Sequence, residues 1–133
     1  MAAIPYVRAL LVADSVFQQA DTGKWCVIGA FDRIWANRYP IIHHSLGLFV
    51  VLGDAEGDLE VKFEFRNGQD QVLGIIGGVH LQIPHRLATI TFGIQTNQLV
   101  VPAPGKYFFR IYFNGEQSPN DIPIDAVEPP DKT

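Results

Sequence analysis

The chain carries four histidines, His43, His44, His80 and His85, and these are the residues with the most chemistry in them. A zinc site on a strand takes imidazoles from one face, where every second residue points the same way. His43 and His44 are adjacent, so on a strand they point to opposite faces, and the histidine-x-histidine spacing is missing. They could share a metal only from an irregular loop. His80 and His85 flank a turn at Pro84, and nothing in the sequence brings them to the first pair. Solvent-facing or capping histidines explain this pattern better than a metal-dependent enzyme does.

The other candidates are weaker. Asp54, Glu56 and Asp58 cluster in one turn, but calcium wants roughly six to eight oxygens, usually from several loops. Asp21 and Asp32 are not brought to them by any spacing. Ser15, Ser45 and Ser118 all lie outside a Gly-x-Ser-x-Gly elbow. The single cysteine, Cys26, sits between Trp25 and Val27 and reads as a small core residue; Lys24 is its one nearby cation. Asp14 and Asp32 become neighbours if the first two strands pair, with Arg8 or Arg33 as counter-charge, which a structural ion pair explains equally well. Gly23-Lys24 and Gly105-Lys106 lack the earlier glycine of a phosphate loop, and Trp25 and Tyr107 stand where Ser or Thr belongs. No catalytic residue and no cofactor is expected.

Composition narrows the partners. A chain of 133 residues with 47% hydrophobic residues suits one globular domain that needs no metal or disulfide. The formal net charge of −4 is partly local, since Asp121, Asp125, Glu128 and Asp131 crowd the C-terminal end against Lys132. No cluster of Lys and Arg exists, which disfavours nucleic acid and anionic membranes. The start, MAAIPYVRALLVADSV, has no basic leader, and Arg8 and Asp14 interrupt its apolar run. A cytoplasmic protein is the expectation.

Those residues must be positioned by strands. In Asp58–Asn67, DLEVKFEFRN, Leu59, Val61, Phe63 and Phe65 alternate strictly with Glu60, Lys62, Glu64 and Arg66. That period of two buries one face and wets the other. Turn signals such as Asp21-Thr22-Gly23-Lys24, Asn67-Gly68, Pro104-Gly105 and Asn114-Gly115 separate similar runs. The expected strands are 6–18, 25–35, 45–53, 58–67, 71–83, 87–100, 106–114 and 117–125. The first also fits helical spacing through Leu10, Ala13, Val16, Phe17 and Ala20, but the DTGK turn joins it to a second β-rich run. Residues 36–44, with Pro40, read as a crossing between sheets. The expectation is an all-β, two-sheet antiparallel β-sandwich of about eight strands, immunoglobulin-like or jelly-roll-like, over residues 1–125. Residues 126–133 read as a polar, proline-rich tail.

Taken in order, PYVRALLVADSVF, DTGKWCVIGAFDRIWANRYP, DAEGDLEVKFEF and LVVPAPGKYFFRIYFNGE resemble an uncharacterised bacterial family of short β-sandwich proteins, a domain of unknown function. The resemblance spans Pro5 to about Ile124. It implies the fold and brings no catalytic residues.

One pattern asks for a partner. A solvated sheet shows a polar outer face, yet three early runs are apolar on both faces. Trp25, Val27, Phe31 and Trp35 oppose Cys26, Ile28, Ala30 and Ile34; Leu46, Leu48, Val50 and Leu52 oppose Phe49 and Val51; Val7, Leu11 and Phe17 oppose Leu10, Val12 and Val16. The second face can be covered by the 36–44 connection or the tail, by another copy, or by a ligand. The expected function is a non-enzymatic interaction or assembly module, acting on itself or on another protein. The alternative is a small-ligand or glycan-binding module whose surface is Trp35, Arg38, Tyr39, His43 and His44.

Overall fold

Alternation in the sequence becomes alternation in burial. In β6 (Gly57–Asn67), Leu59, Val61, Phe63 and Phe65 are at most 3% exposed. The same pattern repeats in β5 (Leu46–Gly53) and β10 (Gly105–Phe113), where Leu46, Leu48, Val50, Leu52, Phe109 and Ile111 are fully buried. The structure, a computed structural model, describes residues 4–129. Within them every regular element is a strand, eleven in all. The remaining strands are β1 (Tyr6–Gln18), β2 (Trp25–Ala30), β3 (Arg33–Trp35), β4 (Ile41–His43), β7 (Val72–Ile83), β8 (Ile90–Thr96), β9 (Leu99–Val101) and β11 (Glu116–Val127).

The strands form three sheets rather than two: β2-β1-β5-β8, β3-β11-β10-β6-β7, and a small β4-β9 pair. Pairing is antiparallel except where β3 runs parallel to the end of β11. Side chains of both larger sheets meet in one hydrophobic cluster, in which Phe65 stacks on Tyr107 and tilts against Phe109. Tyr107 is fixed by its hydroxyl, which donates to the Ala103 carbonyl and accepts from the Ala103 N–H.

Two expected strands divide, each for a visible reason. The run 25–35 leaves the first sheet at Phe31 and joins the second at Arg33, so one apolar segment edges both sheets. The bend falls at Asp32, past Gly29, whose φ of +71 suits a glycine and where a Cβ would lie 2.6 Å from Asp14 Oδ2. The run 87–100 divides the same way between β8 and β9, and β9 pairs with β4 inside the expected 36–44 connection. At the C-terminal end the tail is shorter than expected, because β11 continues to Val127 with Ala126 buried. Residues 130–133 of that expected tail lie outside the described residues. Pro119 and Pro123 are compatible with β11 because β3 pairs only with Asp125–Val127. The Asp125 N–H points to Asp32, so residue 123, two positions away, would aim its N–H toward the same unpaired side.

The doubly apolar β5 is covered in part from within the chain. Beyond Ala13 the β1–β2 hairpin leaves its register with β5 and crosses toward β8. Val16 and Trp25 then lie over Gly47 and Gly93: a Cβ on Gly47 would be 2.6 Å from Val16 Cγ2, and one on Gly93 would be 2.4 Å from Val16 Cγ1 and 2.8 Å from Trp25 Cζ3. The Gln95 side chain ties the hairpin down. Its Oε1 accepts from the Val16 N–H at 2.9 Å, and its Nε2 donates to the Asp14 carbonyl at 3.0 Å. The cover is therefore the first hairpin, not the 36–44 connection. Gly93→Ala should destabilise the fold by about 1–3 kcal/mol through overpacking. Gly74→Ala, where a Cβ meets nothing within 4 Å, should change stability by less than about 0.5 kcal/mol. Denaturant midpoints of the two variants check the contrast.

Candidate interaction surface

The five residues singled out in the sequence divide by role. Trp35, Arg38 and His44 are exposed, Trp35 at 54%. Tyr39 is half-buried and staples an edge: its hydroxyl donates to the Val127 carbonyl at 2.8 Å and lies 3.3 Å from that of Ile34. Burial, and then the charge of Glu128, pushes its phenol above the usual range. His43 packs on Phe31, with ring centroids 5.5 Å apart, and its Nε2 is 3.9 Å from Asp14 Oδ1 without a hydrogen bond. Among the described residues no three His, Cys, Asp or Glu side chains are placed to hold a metal. Asp54 of the acidic turn is engaged by Arg86 at 2.8 Å. His80 faces Glu60 at 3.9 Å across β7 and β6.

Sequence reading missed a charged ladder on the outer face of the five-stranded sheet. Alternate residues of β6 place Lys62, Glu64 and Arg66 in line, and β10 sets Tyr112, Arg110 and Phe108 beside them. Arg66 donates to Glu64 Oε1 from Nη2 at 2.6 Å and from Nε at 3.0 Å, while Lys62 Nζ is 3.6 Å from Oε2. Arg66 also reaches Asp70, which Arg110 Nη1 meets at 3.3 Å, and Arg110 Nε ends the line on Asp121 at 3.4 Å. Lys62 lies over the Tyr112 ring, and Arg110 over Phe108. Glu64 is only 8% exposed. Burial alone would raise its carboxyl, but hydrogen bonds with Tyr112 and Arg66 and the charges of Arg66 and Lys62 outweigh it and hold the group low. The signal was present: a +/−/+ series at every second residue of a strand puts the charges on one face, in reach of each other. The ladder pairs its charges internally, so it is a closed structural surface.

The opposite side of the molecule has the reverse character. Along the β1–β2 ribbon, Leu11, Ala13, Ser15 and Phe17 share a face with Cys26 and Ile28, and none is charged. Leu11, Phe17 and Ile28 remain 42%, 43% and 55% exposed, and Cys26 is half-buried. Leu11 stands opposite Phe49 of β5, whose outer side is itself only half-buried. Beside Leu11 a groove of about 430 Å³ runs along Ala30, Phe31, Asp32, Ile122 and Pro123, where the chain passes between the two large sheets, and Asp32 is its one charged lining residue. A second groove, of about 550 Å³, lies at the far end of β6 and β7, between Asp58, Glu60, His80, Gln82 and Asn114.

A family model matches residues 8–126, nearly the whole of this arrangement. The chain belongs to DUF6941, a family of unknown function. No curated protein matches the chain. The DUF6941 match covers the ribbon, the ladder and the core alike, so the family and the fold have the same extent. Among the described residues no helix is long and apolar enough to cross a membrane.

The ladder gives a pH prediction for this DUF6941 chain. The folded carboxyl of Glu64 is held low, so its contribution is present above the ordinary carboxylate range and lost as pH falls through the folded value. Glu64→Gln should cost about 1–3 kcal/mol at neutral pH. The gap between wild type and variant should narrow toward pH 3, read from urea denaturation at the two pH values. A gap that is constant with pH would refute it.

Proposed function

We propose that this chain is a non-enzymatic β-sandwich interaction module that associates with a second copy of itself. The sandwich reading draws on the single core shared by two stacked sheets and on Tyr107, whose hydroxyl returns to the backbone four residues upstream. Hydroxyl-to-backbone locks of this kind occur at the corners of Greek-key sandwiches.

The observation that carries the self-association is the uncharged ribbon face with Leu11, Phe17 and Ile28 in water. Exposed apolar side chains are ordinary when scattered, whereas a contiguous uncharged patch marks a contact surface. On the other side of the molecule the charges of the ladder are drawn into pairs with one another. The groove beside Leu11 supplies a concave complement to the projecting side chains. Side chains with acid–base or nucleophilic capacity are spread over the surface or committed to structural bonds, which supports a binding role over a catalytic one.

Sedimentation equilibrium at micromolar concentration should give a mass above the 14.8 kDa of one chain. Ile28→Lys should lower the association while leaving the thermal midpoint nearly unchanged, because a substitution at an exposed site typically moves stability by about 0.5 kcal/mol or less. A wild type that stays monomeric throughout the range would end this reading.

A further inference from the structure

The groove beside Leu11 is built from three elements that backbone hydrogen bonds hold together. Leu11 and Val12 come from β1, Ala30 ends β2, Phe31 and Asp32 link it to β3, and Ile122 and Pro123 belong to β11. The link is pinned to both large sheets. The Phe31 N–H donates to the Val12 carbonyl at 2.9 Å, and the Asp32 carbonyl accepts from the Asp125 N–H at 2.9 Å. The groove is thus formed before anything binds, and its volume of about 430 Å³ falls in the range of small-molecule sites.

Its walls and its polar groups ask for different things. Leu11, Phe31 and Ile122 are apolar, and Leu11 is exposed. Asp32 is the one charged lining residue, and among the described residues its carboxylate joins no ion pair. Asp121 and Asp125, which stand two residues to either side of Pro123 on the same face of β11, are already met by Arg110 at 3.4 Å and Lys106 at 3.6 Å. Pro123 adds a second acceptor. Strand residues two apart aim their backbone groups the same way. The Asp125 N–H leaves for Asp32, so the Pro123 carbonyl points to that side as well, and proline has no N–H to set beside it.

We propose that this groove binds a small hydrophobic amine, with its hydrocarbon body along Leu11, Phe31 and Ile122 and its ammonium between the Asp32 carboxylate and the Pro123 carbonyl. Charge selects the occupant. An anion is repelled by Asp32, and a neutral apolar body would strip water from the carboxylate and return no partner to it. An ammonium has three donors and no acceptor, which matches a site whose polar groups are a carboxylate and a carbonyl. Among the described residues no three His, Cys, Asp or Glu side chains converge on a metal, and the apolar walls favour an organic cation. The site is complete within one chain and does not depend on self-association.

The test is a titration of the isotope-labelled full-length chain, as wild type and as Ile28→Lys, with phenethylamine, followed by amide chemical shifts. Phenethyl alcohol, the same body with a neutral head, is the comparison. In both proteins the amine should saturate with a dissociation constant of about 10 mM or below, as fits a ligand of so few atoms, and should move the amides of Leu11, Val12, Phe31, Asp32 and Ile122. It should bind about fivefold more tightly than the alcohol, the size of an ion pair at an exposed carboxylate. Asp32→Asn should erase that difference and Asp32→Glu should keep it. The hydrogen bond that pins residue 32 is made by its backbone, so both variants should retain the wild-type amide dispersion. Equal binding of amine and alcohol, a preference that survives Asp32→Asn, or no saturable shift at these amides would each overturn the site. A wild type that binds the amine yet stays monomeric supports the site and ends the self-association reading; one that associates and ignores the amine does the reverse.

Discussion

The packing of Val16 and Trp25 onto two glycines governs how this molecule meets water. β5 is apolar on both faces, and a sheet with two apolar faces needs two covers. One face of β5 forms the core with β6 and β10. On the other, Gly47 and Gly93 leave room for the first hairpin to lie across the sheet, with Gln95 standing in for the backbone partner that the diverging strand has lost. Any larger residue at either glycine would lift the hairpin and expose the layer beneath. The rest of the surface follows from where that cover stops.

Where it stops, the two sides of the molecule divide their labour. The five-stranded sheet shows water a ladder of paired charges that folds Glu64 under its neighbours. The hydrophobic and charged residues are both ordered there, and little is left to attract a partner. The ribbon side has no such ladder and keeps apolar side chains exposed around a shallow groove. Charge is thus paired along the five-stranded sheet, whereas the ribbon face of Leu11, Phe17, Cys26 and Ile28 carries none.

Much of this was legible in the residues. The strict alternation of DLEVKFEFRN gave β6 within a residue at its start, and the turn at DTGK decided β1 as a strand over Tyr6–Gln18 despite a helical spacing of its apolar residues. The family resemblance likewise agrees with the match over residues 8–126. Of the doubly apolar runs, β5 is covered on both faces, by a cover the sequence did not point to, whereas the runs 6–18 and 25–35 leave Leu11, Phe17, Ile28 and Trp35 exposed. The cover depended on where a hairpin bends, and on the close approach that Gly47 and Gly93 permit to Val16 and Trp25, residues far apart in sequence. The third sheet escaped for a similar reason: β4 and β9 are three residues each, too short for a period, and exist because each supplies the other's hydrogen bonds. Of the candidate surface, Tyr39 and His43 turned out to be held by structural contacts, and the charged ladder was passed over because its alternate residues were read singly as solvated.

On this reading, copies of the chain meet through the uncharged ribbon face and not through the charged ladder. Hydrogen–deuterium exchange followed as a function of protein concentration tests it most directly, because it reports protection strand by strand. Amides of β5 and β10 should be protected equally at every concentration, whereas those of the β1–β2 ribbon should slow as concentration rises. Concentration-independent exchange in the ribbon, or slowing confined to the face of Glu64 and Arg110, would contradict it.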